Sequence, residues 1–357
     1  MICFFNTTKA WGGGEKWHFD MATRLLDEGK KVIVITNTNS ELQKRLEAKG
    51  LKPIALTVSN LSFLNVFKML RLKRFFRKHR VRAIVMNLPA DLKLAGIAAR
   101  LAGVRRVIYR RGSAIPIRNT MLNRFLFKKV ITDVLVNSLE TKRTILSNKP
   151  DLIEPERIRM IYNGLNLSEF DLPVFPVRAQ NDPVIIGNLG RLEKQKAQHL
   201  FIELGKMLRE GGFNFKILIG GDGRLREELA GKIAKEGLQQ FIQLVGYVKD
   251  VTAFMQQIDI FVLTSQWEGF GYVLAEAMAC HKPVIAFNHS SNPELIDNQK
   301  TGFLVEPGNM DELFQKTTLM IKDKSLRLAM GKAGRERVER EFDFEQTYRQ
   351  IKDFLTA

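Results

Sequence analysis

Short apolar runs and helix-patterned windows alternate along almost the whole chain, a rhythm that leaves few architectures open. In the first half, strands are expected at 1–6, 32–36, 54–58, 83–87, 107–110, 134–137 and 158–162. Helices are expected at about 15–28, 40–49, 61–80, 91–101, 119–130 and 139–147, with Ser40 capping the second. The strand runs are apolar throughout rather than at alternate positions, so both faces must be covered. A strand–helix repeat of that kind builds a parallel sheet with helices on either side. Residues 165–182 break the rhythm with Pro173, Pro176 and several polar side chains, the composition of a linker. The alternation restarts with strands at 184–189, 216–219, 242–245, 260–263 and 284–287. The tail, 310–357, reads as helix throughout. It holds more helices than there are strands left, so one is expected to cross back to the first domain.

At 357 residues the chain exceeds one ordinary core. The expected organisation is a parallel α/β domain over 1–165, a linker at 166–182, a second such domain over 183–340 and a last helix at 341–357. Cys3 and Cys280 sit in apolar contexts and read as reduced core thiols. The N-terminal apolar run is too short for a signal peptide and reads as a first strand. No apolar run reaches the length of a membrane span. The net charge of +18 is unevenly placed: residues 1–171 carry 32 Lys and Arg against 14 Asp and Glu, whereas residues 172–357 carry 24 of each. The two halves are therefore expected to meet different partners.

Chemistry-bearing residue types gather where strands end. Trp11-Gly12-Gly13-Gly14-Glu15-Lys16 follows the first strand. Its glycines permit close approach of a ligand, and the helix after them favours an anion. Dinucleotide and Walker spacings are absent, and a tight turn explains the stretch equally well. In the second half, Gly190-Arg191 with Lys196 offers a planar fork and a point charge for a diphosphate. Gly220-Gly221-Asp222-Gly223 ends another strand. Gly246-Tyr247-Val248 offers backbone groups and side chains to a flat base. Each has an equally plain reading as a solvated loop or turn.

The most distinctive stretch is 268–280, where Glu268 lies in a Gly-Phe-Gly turn and Glu276 in a helix signal. Both helical, the two carboxylates would stand roughly 12 Å apart along the axis; the glycines instead put Glu268 in the loop. Carboxylates near a helix N-terminus are favoured by its dipole alone, and a glycosidase-like acid/base pair is a further reading. The ensemble decides between them. Several loops at strand carboxyl ends supply carboxylates for hydroxyls, cations for phosphates and glycines for close approach, an inventory that fits a sugar attached to a nucleoside diphosphate.

On these motifs, together with Thr301-Gly302-Phe303-Leu304-Val305, Pro307-Gly308 and Asn163-Gly164-Leu165-Asn166, the chain resembles the retaining glycosyltransferases of family 4, the glycosyl transferases group 1. The resemblance covers nearly the whole chain. It implies the GT-B fold, two Rossmann-like domains facing across a cleft, and no cofactor or metal. It implies that Glu268, Arg191 and Lys196 serve catalysis. Arg191 and Lys196 would neutralise the leaving diphosphate, and Glu268 would hold donor-sugar hydroxyls. Gly12, Gly13, Gly14, Gly190, Gly221, Tyr247, Val248, Phe270, Gly271, Tyr272 and Glu276 would line the donor, Glu276 at the ribose. Glu15, His18, Arg110 and Arg111 are the expected acceptor-side residues.

The sequence departs from the family pattern twice. Many relatives carry a His in the first domain, where this chain has Tyr109-Arg110-Arg111-Gly112-Ser113; Arg110 or Arg111 is expected to meet an anionic donor or acceptor instead. The family's Gly-Gly before Pro-Glu is replaced by Ser290-Ser291-Asn292-Pro293-Glu294, which leaves the sugar end open. In the basic half, 61–80 sets Phe63, Val66, Phe67 and Leu70 on one side and Lys68, Arg71, Arg74 and Lys78 on another. The apolar side is expected either to pack on the sheet or to dip into a membrane interface. Clustered cations also mark nucleic-acid binders, but no recognised motif of that class accompanies them, and nucleic acid is not an expected partner. The expected protein is cytoplasmic, peripheral at the inner membrane, and takes a nucleotide sugar and a saccharide or lipid-linked acceptor in lipopolysaccharide or other envelope polysaccharide assembly. A nucleotide-sugar epimerase or hydrolase, or a non-catalytic protein binding anionic surfaces, are the alternatives.

Overall fold

The computed structural model describes residues 1–171 and 181–356. The chain forms two compact units, Met1–Asn163 with the segment from Thr347 onward, and Gly164–Gln346. Most of the expected linker, with Pro173 and Pro176, lies outside the described residues.

The first unit holds seven parallel strands: β1 (Ile2–Asn6), β2 (Val32–Thr36), β3 (Ile54–Ala55), β4 (Ala83–Met86), β5 (Arg106–Arg111), β6 (Asp133–Val136) and β7 (Ile158–Met160). Their order is β3-β2-β1-β4-β5-β6-β7. Every residue of β1 and β4 is buried, which is why those runs are apolar without alternation. Ser40 caps its helix as expected, its side chain accepting from the Gln43 amide.

The expected helix at 61–80 is divided. A short 3₁₀ turn, Ser62–Leu64, precedes helix Val66–Lys78, which Asn65 caps through the Lys68 amide. The face that packs on the sheet carries Leu72 and Phe76, whereas Val66, Phe67 and Leu70 are exposed. Of the two expectations for that apolar side, packing on the sheet is thus excluded for these three residues. The reason is the helical period: Leu72 and Phe76 lie opposite Phe67, Arg71 and Arg74 on the helix.

The second unit holds six parallel strands: β8 (Val184–Leu189), β9 (Phe215–Gly220), β10 (Ile242–Gly246), β11 (Ile260–Leu263), β12 (Val284–Phe287) and β13 (Gly302–Val305). Their order is β10-β9-β8-β11-β12-β13. The sequence pattern does not predict β13, which pairs with β12 along its whole length. Helix Tyr272–Ala279 is backed by helix Lys324–Glu341, which comes so close that a Cβ on Gly331 would overlap the His281 carbonyl oxygen. The last helix, Phe344–Thr356, returns to the first unit. There Arg24 stacks over Tyr348 at 4.8 Å, Lys352 pairs with Glu28 at 3.4 Å, and Arg106 lies over Phe354 at 4.3 Å. Cys3 and Cys280 are both buried free thiols, as expected.

Each sheet reverses its strand order once. In the first, β1 has β2 on one side and β4 on the other; in the second, β8 stands between β9 and β11. Helices leave in opposite directions on either side of such a point, and a crevice opens outside the strand carboxyl ends.

Candidate functional site

In the second unit the crevice is built from the loops after β8 and β11. Lys196, on the first, meets Glu268, on the second, with Nζ 2.5 Å from Oε1, and both side chains are largely shielded from solvent. Backbone and side-chain bonds fix the two loops to each other. The Gln266 amide donates to the Gln195 carbonyl (2.8 Å), Gln195 Nε2 donates to the Trp267 carbonyl (2.6 Å), and Thr264 Oγ1 donates to the Lys196 carbonyl (3.0 Å). A charge pair held this way needs little rearrangement to act on a ligand. Arg191, on the same loop as Lys196 and next to Gly190, which packs against the Lys196 side chain, is exposed, and its guanidinium bonds no other described residue.

The loop after β12 sets the backbone of Glu268. The Glu268 amide donates to Ser290 Oγ (3.1 Å), and that hydroxyl donates to the Glu268 carbonyl (2.6 Å), which also accepts from Ser291 Oγ (3.2 Å). The sequence marked both serines as replacing the family's glycine pair at the sugar end, but did not show that they hold the Glu268 backbone. Ser290 keeps the glycine-like backbone, with φ +56°. Gly271, at φ +81°, turns the chain into helix Tyr272–Ala279, so Glu268 lies in the loop and Glu276 just past the first helical turn. Both carboxylates are 8% exposed.

The glycines divide by purpose. Gly221, at φ +128°, packs backbone to backbone on Gly190: a Cβ there would overlap the Gly190 carbonyl oxygen, and the Gly190 amide donates to the Gly220 carbonyl. Loop-to-loop contact therefore demands Gly221 before any ligand does. Phe270 is interior, 5.5 Å from both Tyr272 and Phe342 between ring centres, which leaves only its backbone for a donor. Tyr247 is exposed at the carboxyl end of β10, and Val248 sits beside Gly220.

In the first unit, Gly12 caps helix Gly13–Asp27 from an extended backbone, and Gly14 lies against Asn87 so closely that a Cβ would overlap the Asn87 amide group. Three of the expected acceptor-side residues are interior and support this loop. Glu15 accepts from Asn6 Nδ2 at 3.0 Å. His18 is wholly buried, with Nδ1 3.0 Å from the Gly14 carbonyl; burial, then the Arg110 charge, pushes its pKa down to about 3, so it stays neutral. Arg110 lies 4.5 Å over Trp17 and donates to Asn87 and Asn163, each at 3.0 Å. Arg111 is partly exposed and holds the loop after β5 through the Ile115 carbonyl, 2.6 Å away. Sequence reasoning did not mark Asp91. It accepts from the Thr7 amide at 3.1 Å and from the Thr7 hydroxyl, and it is fully buried at the reversal point of the first sheet. Among the described residues no His, Cys, Asp and Glu cluster could hold a metal ion.

Two family profiles match consecutive parts of the chain: Glycosyltransferase Family 4 over residues 11–169 and Glycosyl transferases group 1 over residues 174–337. Among similar curated proteins, the capsular polysaccharide biosynthesis glycosyltransferase CapM of Staphylococcus aureus is 29% identical over 240 residues, 63% of this chain and 62% of that protein. The N-acetylgalactosamine-N,N'-diacetylbacillosaminyl-diphospho-undecaprenol 4-alpha-N-acetylgalactosaminyltransferase of Campylobacter jejuni is 28% identical over 225 residues, 62% of this chain and 60% of that protein. The chain thus spans about three-fifths of the length of these two relatives. Among solved structures, Anabaena Alr3699/HepE in complex with UDP and glucose superposes with a TM-score of 0.86 and 22% identity over 99% of both chains, a likeness of fold.

Proposed function

The chain belongs to the glycosyl transferases group 1 of glycosyltransferase family 4, with the GT-B fold, and from that premise we propose that it moves a sugar from a nucleoside diphosphate to a saccharide or lipid-linked acceptor. The observation that carries this reading is the Lys196–Glu268 pair, set at the reversal point of the second sheet, with Arg191 exposed on the same loop as Lys196. The second domain holds the donor and the basic first domain the acceptor. Arg191 and Lys196 take up the charge that develops on the diphosphate as its bond to the anomeric carbon breaks. Removal of such a group typically costs about 3–4 kcal/mol of transition-state stabilisation. Glu268 orients the sugar hydroxyls, and Glu276 accepts from the ribose. The acceptor oxygen attacks the face that the diphosphate leaves, its proton passing to a departing phosphate oxygen, so that configuration is retained. In this reading the reaction uses no metal or cofactor.

The curated relatives include a capsular polysaccharide glycosyltransferase and an enzyme whose name specifies a diphospho-undecaprenol-linked saccharide. They support a role in assembling envelope polysaccharide, which we place at the cytoplasmic face of the inner membrane. We favour peripheral attachment through the basic first domain; among the described residues no helix is long and apolar enough to cross a membrane. A thermal-shift panel of nucleoside diphosphates and their sugars tests the reading, because a bound donor raises stability by mass action. Stabilisation by one nucleotide sugar, followed by transfer to an added saccharide, is expected. No response to any nucleoside diphosphate overturns it, and release of free sugar or epimer alone moves the protein to hydrolase or epimerase chemistry.

A further inference from the structure

We infer that the first domain docks on an anionic bilayer through two exposed apolar clusters at the carboxyl edge of its sheet. One opens helix Val66–Lys78: Leu64, Val66 and Phe67 are consecutive in exposure, with Phe67 86% exposed. The other opens helix Met121–Phe125, where Met121 is 86% and Phe125 47% exposed. Isolated apolar residues on a surface mean little, but large ones this exposed at the starts of two helices on one edge mark that edge.

The fold puts both clusters on one edge. Each helix follows a strand of a parallel sheet, so each begins where strands end. Leu72 and Phe76 of the first helix and Leu126 and Phe127 after the second bury into one core with Leu94, Ala95 and Ala98 between them, so the two helices flank a third on the same face. The loop of Gly12–Gly14 leaves β1 at that same edge.

Charge selects the occupant. Helix Val66–Lys78 carries six cations and no acid, and Arg71 and Arg74 share its outer face with Phe67 and Leu70. An apolar tip followed by a cationic flank matches the hydrocarbon boundary and the anionic headgroups of a bilayer. A protein partner would need acids opposite Arg71 and Arg74, which a second copy of this helix does not offer. Docked so, the strand ends and the Gly-rich loop face the headgroups, where a saccharide on a lipid carrier is presented; that last step rests on the glycosyltransferase reading, and the docking itself does not.

The test is co-sedimentation with vesicles of phosphatidylcholine and phosphatidylglycerol at about 0.1 M salt, where exposed charges more than about 10 Å apart are largely screened. Wild-type protein is expected to pellet with anionic vesicles. Phe67→Ser with Met121→Ser is expected to lower binding about tenfold, and Arg71→Gln with Arg74→Gln to reduce its salt dependence. Because Cys3 and Cys280 are buried, Phe67→Cys accepts an environment-sensitive fluorophore, whose emission should shift to the blue on vesicle addition. Equal pelleting of the serine variant and wild type, no pelleting of wild type, unshifted emission, or a concentration-dependent dimer that the serine variant abolishes, each overturns the proposal. Stabilisation by the panel of nucleoside diphosphates is read in parallel: its absence with pelleting intact counts against the glycosyltransferase reading alone, and its retention in the serine variant shows that the variant is folded.

Discussion

Ser290 holds Glu268 at both ends of its backbone, accepting from its amide at 3.1 Å and donating to its carbonyl at 2.6 Å. A hydroxyl can do both at once because it is donor and acceptor together. Glu268 is thereby fixed from the loop after β12 while its carboxylate is gripped by Lys196 from the loop after β8. Ser290→Ala should weaken binding of the nucleotide sugar, leave binding of the free nucleoside diphosphate near wild type, and cost about 1 kcal/mol of stability. Calorimetric titration with both ligands checks this; equal loss for both would mean that Ser290 supports the whole domain.

Lys196 and Arg191 separate by their surroundings. Arg191→Ala removes an exposed, unbonded guanidinium, so turnover should fall about 100-fold with the melting temperature unchanged. Lys196→Ala should lower turnover comparably and also destabilise the fold, because it strands the shielded Glu268 carboxylate. Lys196→Ala with Glu268→Gln should recover stability but not activity. Steady-state kinetics beside chemical unfolding distinguish the two effects.

Gly221→Ala combines two penalties, a side chain at φ +128° and an overlap with the Gly190 carbonyl oxygen. A loss of about 2–4 kcal/mol in urea unfolding is expected. Gly29→Ala, at φ +74° with open space around it, should cost less. Equal losses would show that backbone conformation alone matters and that the two loops do not need their close packing.

Asp91 predicts a pH dependence. Burial is the larger influence; it outweighs the two bonds from Thr7 and, with the Glu15 charge, pushes the carboxyl up to about 7 from 3.8. Between those values the folded chain keeps a proton that the unfolded chain has lost. Stability therefore falls as pH rises through that window, and the loss is complete above about 7. Groups near it include Glu15, Thr7 and, through the Thr7 carbonyl, Asn37. Asp91→Asn keeps the shape of the neutral acid and should remove this decline when unfolding is followed from about pH 5 to about pH 8. An unchanged profile in the asparagine variant would place the dependence elsewhere.

Much of the scaffold was legible because buried parallel strands write continuous apolar runs. β13 escaped because Gly302–Val305 opens with a glycine, which weakens a strand signal and leaves only Phe303–Val305 as an apolar run. The turn before Gly271 was readable from glycine chemistry. The interior positions of His18 and Arg110 were not, because a charged or titratable side chain carries no local sign of the aromatic ring or amide that will cover it. For helix Val66–Lys78 two readings stayed open for a related reason. Spacing alone gives two apolar arcs, one through Phe67 and Leu70 and one through Leu72 and Phe76, and only the packed neighbours choose between them.

The reversal of strand order at β8 has a consequence for redesign. Lys196 and Glu268 lie on loops that leave adjacent strands, about 4.8 Å apart, so the sheet brings the two loops together and the bonds between them set the pair. The residues that trim Glu268, Ser290 and Ser291, arrive from a strand one place further out. In our reading, changes confined to the loop after β12 would alter which sugar is accepted while the grip on the diphosphate persists. A single-loop library there would be the economical route to a new donor.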